Sequence, residues 1–224
     1  MRLVRPLTAE FLGTFGLVFA GTAAAVGQSF PGGASGLVGI ALAHGLILAT
    51  MATATMGISG AHLNPAVTVG FLGIRKIELK TGLAYIGAQL LGGTAGAFAS
   101  RFLVPNNVGR LVSNGLPQIN TNVMFGPAVL LEAVMTFFLM SAVMGTMVNP
   151  KAPKLGGLLL GLTVAAMILV GGPLTGAAMN PARALAPAIV SGVWTGQIVY
   201  WIGPILGAVA AAFVWDRVLL KDEA

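Results

Sequence analysis

Ser59-Gly60-Ala61-His62-Leu63-Asn64-Pro65-Ala66 returns later in the chain as Thr175-Gly176-Ala177-Ala178-Met179-Asn180-Pro181-Ala182, with five of eight positions identical. Asn is a strong N-cap and Pro suits the first helical position, so the triplets Asn64-Pro65-Ala66 and Asn180-Pro181-Ala182 each read as the start of a helix. The apolar pieces that follow, roughly Pro65 to Gly73 and Pro181 to Val190, are short. At about 1.5 Å per residue neither crosses a hydrocarbon core of about 30 Å. Half-helices of this kind are tolerated at membrane depth only where they are buried in protein or line a wet cavity.

The membrane setting follows from composition. Of 224 residues, 56% are apolar and 8% charged, the mean hydropathy is +0.91, and runs such as Ser35 to Met56 and Gly156 to Val170 carry no charge. This is the composition of a polytopic membrane protein. The first apolar run follows Arg2 and Arg5, lacks a signal-peptide cleavage site and continues to Val26, so it reads as the first span. Six spans are expected, over Leu7 to Val26, Ser35 to Met56, Thr81 to Val104, Phe125 to Val148, Lys154 to Val170 and Thr195 to Leu219.

The net charge of +6 invites a nucleic-acid reading, but the position of the charges removes it. Arg2, Arg5, Arg75, Lys76, Lys80, Lys151, Lys154, Arg217 and Lys221 all fall at span ends on one side of the membrane. Arg101 and Arg110 fall on the other, which places both termini in the cytoplasm. There is no cysteine and therefore neither a disulfide framework nor a thiol-ligated metal. His44 and His62 stand eighteen positions apart without further metal ligands, and no glycine-rich phosphate loop follows a strand, so no metal, cofactor or enzymatic site is expected.

Glu10 with Thr14-Phe15 matches Glu132 with Thr136-Phe137, extending the repeat upstream of the triplets. Three spans and one half-helix, duplicated, give halves of opposite orientation, with special sites near the bilayer midplane. The chain is expected to be a single all-α channel domain over 1–224. Its repeats cover about 1–104 and 125–224, joined by a polar loop over about 105–124 that contains Asn106-Asn107, Asn114-Gly115 and Pro117.

These features together resemble the major intrinsic protein (aquaporin) family over nearly the whole chain. The resemblance rests on both Asn-Pro-Ala boxes, Arg183, the run from Ser59 to Thr68, and one Glu in each repeat's first span. It implies a right-handed bundle of six helices with two re-entrant half-helices. It also implies a water pore within each protomer, in a homotetramer embedded in lipid. If the half-helices enter from opposite faces, each brings about half a positive charge to the centre. Cations and protons are then repelled, while the amides of Asn64 and Asn180 hold a passing water so that it cannot relay a proton.

An arginine within a membrane segment is costly unless it faces protein or water. In this family the position of Arg183 is the outer constriction, and the resemblance places its partners at His44, Ile168 and Ala177. This set is similar to the filters of some vacuolar-type plant aquaporins. With Ile168 in place of a common His, the constriction is expected to be somewhat wider than a strict water filter. That adds ammonia, hydrogen peroxide and limited glycerol to water as neutral solutes. Ala184 after the arginine, Ala188 and the Tyr200-Trp201 pair match the water-channel pattern.

Glu10 and Glu132 are read as acceptors for re-entrant backbone rather than proton sites, and His62 as a loop-positioning residue. Gly92-x-x-x-Gly96 and Gly203-x-x-x-Gly207 are close-packing spacings. The short connection Asn149 to Pro153 leaves little material for a capping gate. The lack of targeting extensions fits a prokaryotic inner membrane, with a eukaryotic organelle as the alternative. Two other functions fit the architecture, an ion-coupled secondary transporter and a membrane scaffold with a vestigial pore.

Overall fold

The computed structural model describes residues 3–30, 36–103 and 113–220, and among them every regular element is a helix. Six long helices form the bundle: α1 (Val4–Gly27), α2 (Gly36–Ser59), α4 (Leu79–Leu103), α5 (Phe125–Val143), α6 (Gly156–Thr175) and α8 (Gln197–Val214). Two short ones, α3 (Pro65–Gly73) and α7 (Pro181–Ser191), follow the Asn-Pro-Ala triplets.

Five of the six long helices are apolar enough to cross a membrane on composition alone. The sixth, α4, is 25 residues long, about 37 Å at the usual rise. It is less apolar because it carries Lys80, Gln89 and Arg101. The expected spans shift by a few residues at their ends. The largest change is in α6, which runs through Pro173 to Thr175 rather than stopping at Val170. The ends of the spans after α5 and α8 widen into π-turns over Met144–Val148 and Trp215–Leu219, where Trp215 packs on Gly145. Ser35, Val104, and 105–112 of the connecting loop lie outside the described residues.

Helix pairing repeats. α1 packs on α4 and α2, α5 packs on α8 and α6, and α2 crosses α6 between the halves. Each close crossing is made by glycine. A Cβ at Gly92 would fall on the Phe11 carbonyl oxygen and one at Gly96 would stand 2.5 Å from that of Phe15. A Cβ at Gly203 would stand 2.7 Å from the Val129 oxygen, and one at Gly207 would fall on that of Ala133. The α2–α6 crossing is reciprocal, with Gly45 against the Gly161 carbonyl and Gly161 against that of Gly45. Such self-matching contact is what a two-fold relation between the halves produces. Lipid supplies no hydrophobic drive between helices, so association depends on this close approach.

The half-helices are exchanged, with α3 packed on α8 of the second half and α7 on α4 of the first. They also leave the centre in opposite directions. After α3, Lys76 Nζ reaches Asp216 Oδ1 at 3.2 Å, beyond the C-terminal end of α8. In α7, the Ala184 carbonyl accepts from Gln197 Nε2 at 3.3 Å, at the N-terminal end of the same helix. Replacing Gly92 by Val forces α1 and α4 apart; the expected loss is about 1–3 kcal/mol or more, the usual cost of overpacking. Thermal unfolding in detergent, followed by size exclusion, should show a lower midpoint for Gly92→Val and for Gly207→Val.

Candidate functional site

The N-terminal ends of α3 and α7 meet at the centre of the bundle. Asn64 and Asn180 are extended caps. Asn64 Oδ1 accepts from Ala66 N at 2.9 Å, and Asn180 Oδ1 accepts from Ala182 N at 2.9 Å and Arg183 N at 3.3 Å. Each amide nitrogen then crosses to the other loop. Asn64 Nδ2 donates to the Met179 carbonyl at 2.8 Å, and Asn180 Nδ2 donates to the Leu63 carbonyl at 2.9 Å. A primary amide has two N–H groups, so one on each asparagine ties the halves together. The second is left for the cavity that both residues line. Sequence reasoning assigned these amides to passing water alone and missed that half of their donor capacity is structural.

The loops entering the two half-helices are strained alike. Gly60, Ala61 and Leu63 have φ of +85°, +51° and +49°, and Gly176, Ala177 and Met179 have +79°, +46° and +52°. Left-handed backbone at a non-glycine residue costs about 1–2 kcal/mol, and it persists where the surroundings over-determine it. The carboxylates do so here. Glu10 Oε1 accepts from Ser59 Oγ at 2.6 Å and His62 N at 3.0 Å. Its Oε2 accepts from Leu63 N at 2.6 Å and Gln89 Nε2 at 2.8 Å. Glu132 repeats the pattern, with Oε1 accepting from Thr175 Oγ1 at 2.7 Å and Ala178 N at 2.9 Å, and Oε2 from Met179 N at 2.7 Å. Both carboxylates are fully buried.

Two tyrosines complete the supports. Tyr85 donates to the Ser59 carbonyl at 3.0 Å and Tyr200 to that of Thr175 at 2.7 Å. Tyr85 and Gln89 went unnoticed in the sequence. The signal was present, because Tyr85 lies 26 residues after Ser59 and Tyr200 lies 25 after Thr175. Gln89 Nε2 also reaches Thr68 Oγ1 at 3.0 Å, and His62 Nδ1 lies 3.1 Å from the same hydroxyl. His62 is stacked on Phe71 with ring centroids 4.5 Å apart and edge-on to Tyr85. The ring is therefore fixed on three sides.

A narrow cavity runs past the crossed amides. His44, Ile168, Ala177 and Arg183 line one end of it together, His62 lines the other, and Leu17, Leu48, Val67, Leu139, Leu160 and Val164 supply apolar wall between them. The space open to the centre of a water molecule is about 30 Å³. A single water needs about 10–15 Å³ by that measure, so the cavity has room for about two or three. Beyond His62 it opens into a mouth with Lys76, Tyr85 and Met147. Beyond Ile168 and Arg183 it opens into a second mouth floored by those two residues. The described part of the connecting loop shapes this second mouth, with Pro117 packed on Gly176 and Gly115 on Thr22.

Arg183 is 7% exposed. Its Nη2 donates to the Gly176 carbonyl at 3.4 Å, and Nη1 is buried without a protein partner. His44 Nδ1 lies 2.9 Å from the Ile40 carbonyl. A carbonyl only accepts, so Nδ1 carries the proton. Among the described residues no group of three or more His, Cys, Asp or Glu could hold a metal ion.

Six membrane-length helices, two half-helices meeting at the centre and a passage between two mouths define an integral multi-pass protein of inverted-repeat architecture. The chain belongs to the family described as Major intrinsic protein, whose model matches residues 1–215. It is 42% identical to Aquaporin TIP4-4 of Zea mays, across 98% of this chain and 88% of the relative. It is 38% identical to Probable aquaporin TIP3-2 of Arabidopsis thaliana, across 98% and 85%. The fold is similar to that of the aquaglyceroporin from Plasmodium falciparum, with a TM-score of 0.86 and 27% identity, covering 99% of this chain and all of the other.

If the carboxylates act as acceptors, their charge state and not their volume matters. Glu10→Gln and Glu132→Gln turn one oxygen into a donor facing donors, and each unpaired loop group costs about 1–3 kcal/mol. Both variants should unfold at clearly lower temperature than wild type, nearly as low as the alanine variants. Equal stability of the glutamine variants and wild type would refute the acceptor role.

Proposed function

We propose that this chain is a passive membrane channel for water and small neutral solutes, closed to protons and ions. The observation that carries the reading is the narrow cavity, lined by the crossed amides of Asn64 and Asn180 and by His44, Ile168, Ala177 and Arg183. The triplets Asn64-Pro65-Ala66 and Asn180-Pro181-Ala182 present two helix N-termini to the passage, where partial positive charge disfavours a cation. His44, Ile168, Ala177 and Arg183 form the selectivity constriction. Arg183 Nη1 offers an unused donor to a passing oxygen, while Ile168 offers nothing polar. Glu10, Glu132 and His62 hold the loops.

The chain is one channel domain over 1–224, with repeats about 1–104 and 125–224 joined by a connecting loop about 105–124, whose described part shapes the outer mouth. The charge asymmetry at the span ends supports cytoplasmic termini, and with that orientation the His62 mouth faces inward. Exposed apolar side chains along the long helices, among them Leu83, Leu91, Leu130 and Leu206, meet lipid and neighbouring protomers of a homotetramer. Passage of water fits the plant relatives, which are aquaporins, and passage of glycerol fits the Plasmodium protein, an aquaglyceroporin.

The test is stopped-flow light scattering on proteoliposomes, ranking water, ammonia, hydrogen peroxide and glycerol. Water flux well above that of empty liposomes, with a low activation energy, is expected. Flux no faster than empty liposomes from folded, inserted protein would overturn the reading. Arg183→Ala removes bulk and charge from the constriction, so glycerol flux should rise about tenfold, a change of about 1.4 kcal/mol in barrier, with water flux retained.

A further inference from the structure

The side chain that shapes the constriction from α1 is one that is missing. Gly13, Leu17 and Gly21 stand four residues apart on a single face of α1, the spacing that stacks side chains along one helix face. Leu63 fills the space over Gly13, Leu17 lines the cavity itself, and the imidazole of His44 fills the space over Gly21. A Cβ at Gly21 would fall on His44 Nε2 and stand 2.5 Å from both Cδ2 and Cε1. Ordinary contact between such atoms is about 3.5–4.0 Å, so the ring occupies the volume that a side chain at 21 would take.

We propose that Gly21 is a specificity-determining position: its bare backbone is a recess that draws the His44 ring back from Arg183 and so sets the width of the constriction for neutral solutes. This rests on the channel reading. His44 is fixed at its other ring nitrogen by the Ile40 carbonyl, 2.9 Å away, and is 3% exposed. With α1 behind the ring and α2 carrying it, the open space is the cavity that it lines with Ile168, Ala177 and Arg183. A methyl group at position 21 displaces the ring by about 1 Å into that space.

The experiment measures water and a graded set of neutral solutes, ammonia, hydrogen peroxide, urea and glycerol, through wild type, Gly21→Ala, His44→Ala and the double variant in proteoliposomes of matched protein content. Gly21→Ala should lower the flux of the widest solute that wild type conducts by about tenfold relative to water, the lower end of what one methylene is worth in a fitted site. If wild type conducts water alone, the water flux itself should fall. In the His44→Ala background the same glycine change should have no effect, because the ring it displaces is gone.

Unchanged flux in folded Gly21→Ala overturns the proposal, as does an effect of equal size in the His44→Ala background, which would assign it to helix packing. If Gly21→Ala alone fails to fold, recovery of folding in the double variant supports the ring clash and continued failure overturns it. Wild type without flux above empty liposomes would be a failure of the channel reading instead.

Discussion

Backbone N–H and C=O groups have no water to turn to at the centre of a bilayer, and each one left unpaired there costs several kcal/mol. This chain breaks its helices at that depth twice. The structure around the breaks is a set of partners for the groups thereby exposed. Two carboxylates take up the loop N–H groups and two tyrosines take up the last carbonyls of α2 and α6. The asparagine amides satisfy the Met179 and Leu63 carbonyls across the two-fold. Removing the halves from each other would orphan the Leu63 and Met179 carbonyls, so the repeats are bound by polar satisfaction as well as by packing.

On the reading proposed above, the same arrangement makes the passage selective. Groups already committed to structural bonds cannot rearrange to follow a solute, so the few donors left over are fixed in place. Those are the second N–H of each asparagine and Nη1 of Arg183. The walls between are aliphatic and offer nothing polar. A water moving through exchanges neighbours at fixed stations, while a cation meets two helix N-termini and an arginine of its own sign. Polar side chains in the membrane are expensive, and here the main ones near the passage each have a structural partner.

Much of this was legible in the residues. The duplicated triplets gave the half-helices nearly to the residue, because Asn and Pro dictate a helix start locally. Composition gave the spans, and the two GxxxG spacings marked the α1–α4 and α5–α8 crossings. What escaped depended on contacts distant in sequence. Nothing in the spacing of Gln89 shows that it reaches Glu10 and Thr68, and Tyr85 matches Tyr200 only when the alignment that superposes the loops and triplets is shifted by one residue within the following span. The crossed amide bonds were hidden for the same reason, since an asparagine cap looks identical whichever carbonyl its nitrogen finds. Gly21 is one of 32 glycines, and only the ring lying over it separates it from those that merely admit a neighbouring helix.

The central claim is that fixed, structurally committed groups at the centre pass water while blocking the proton. The direct measurement is proton and water flux in the same proteoliposomes, with an entrapped pH dye and the membrane potential clamped by potassium and valinomycin. The account predicts water flux that rises with protein density while proton flux stays at the level of empty liposomes. Proton flux rising in step with water flux would contradict it.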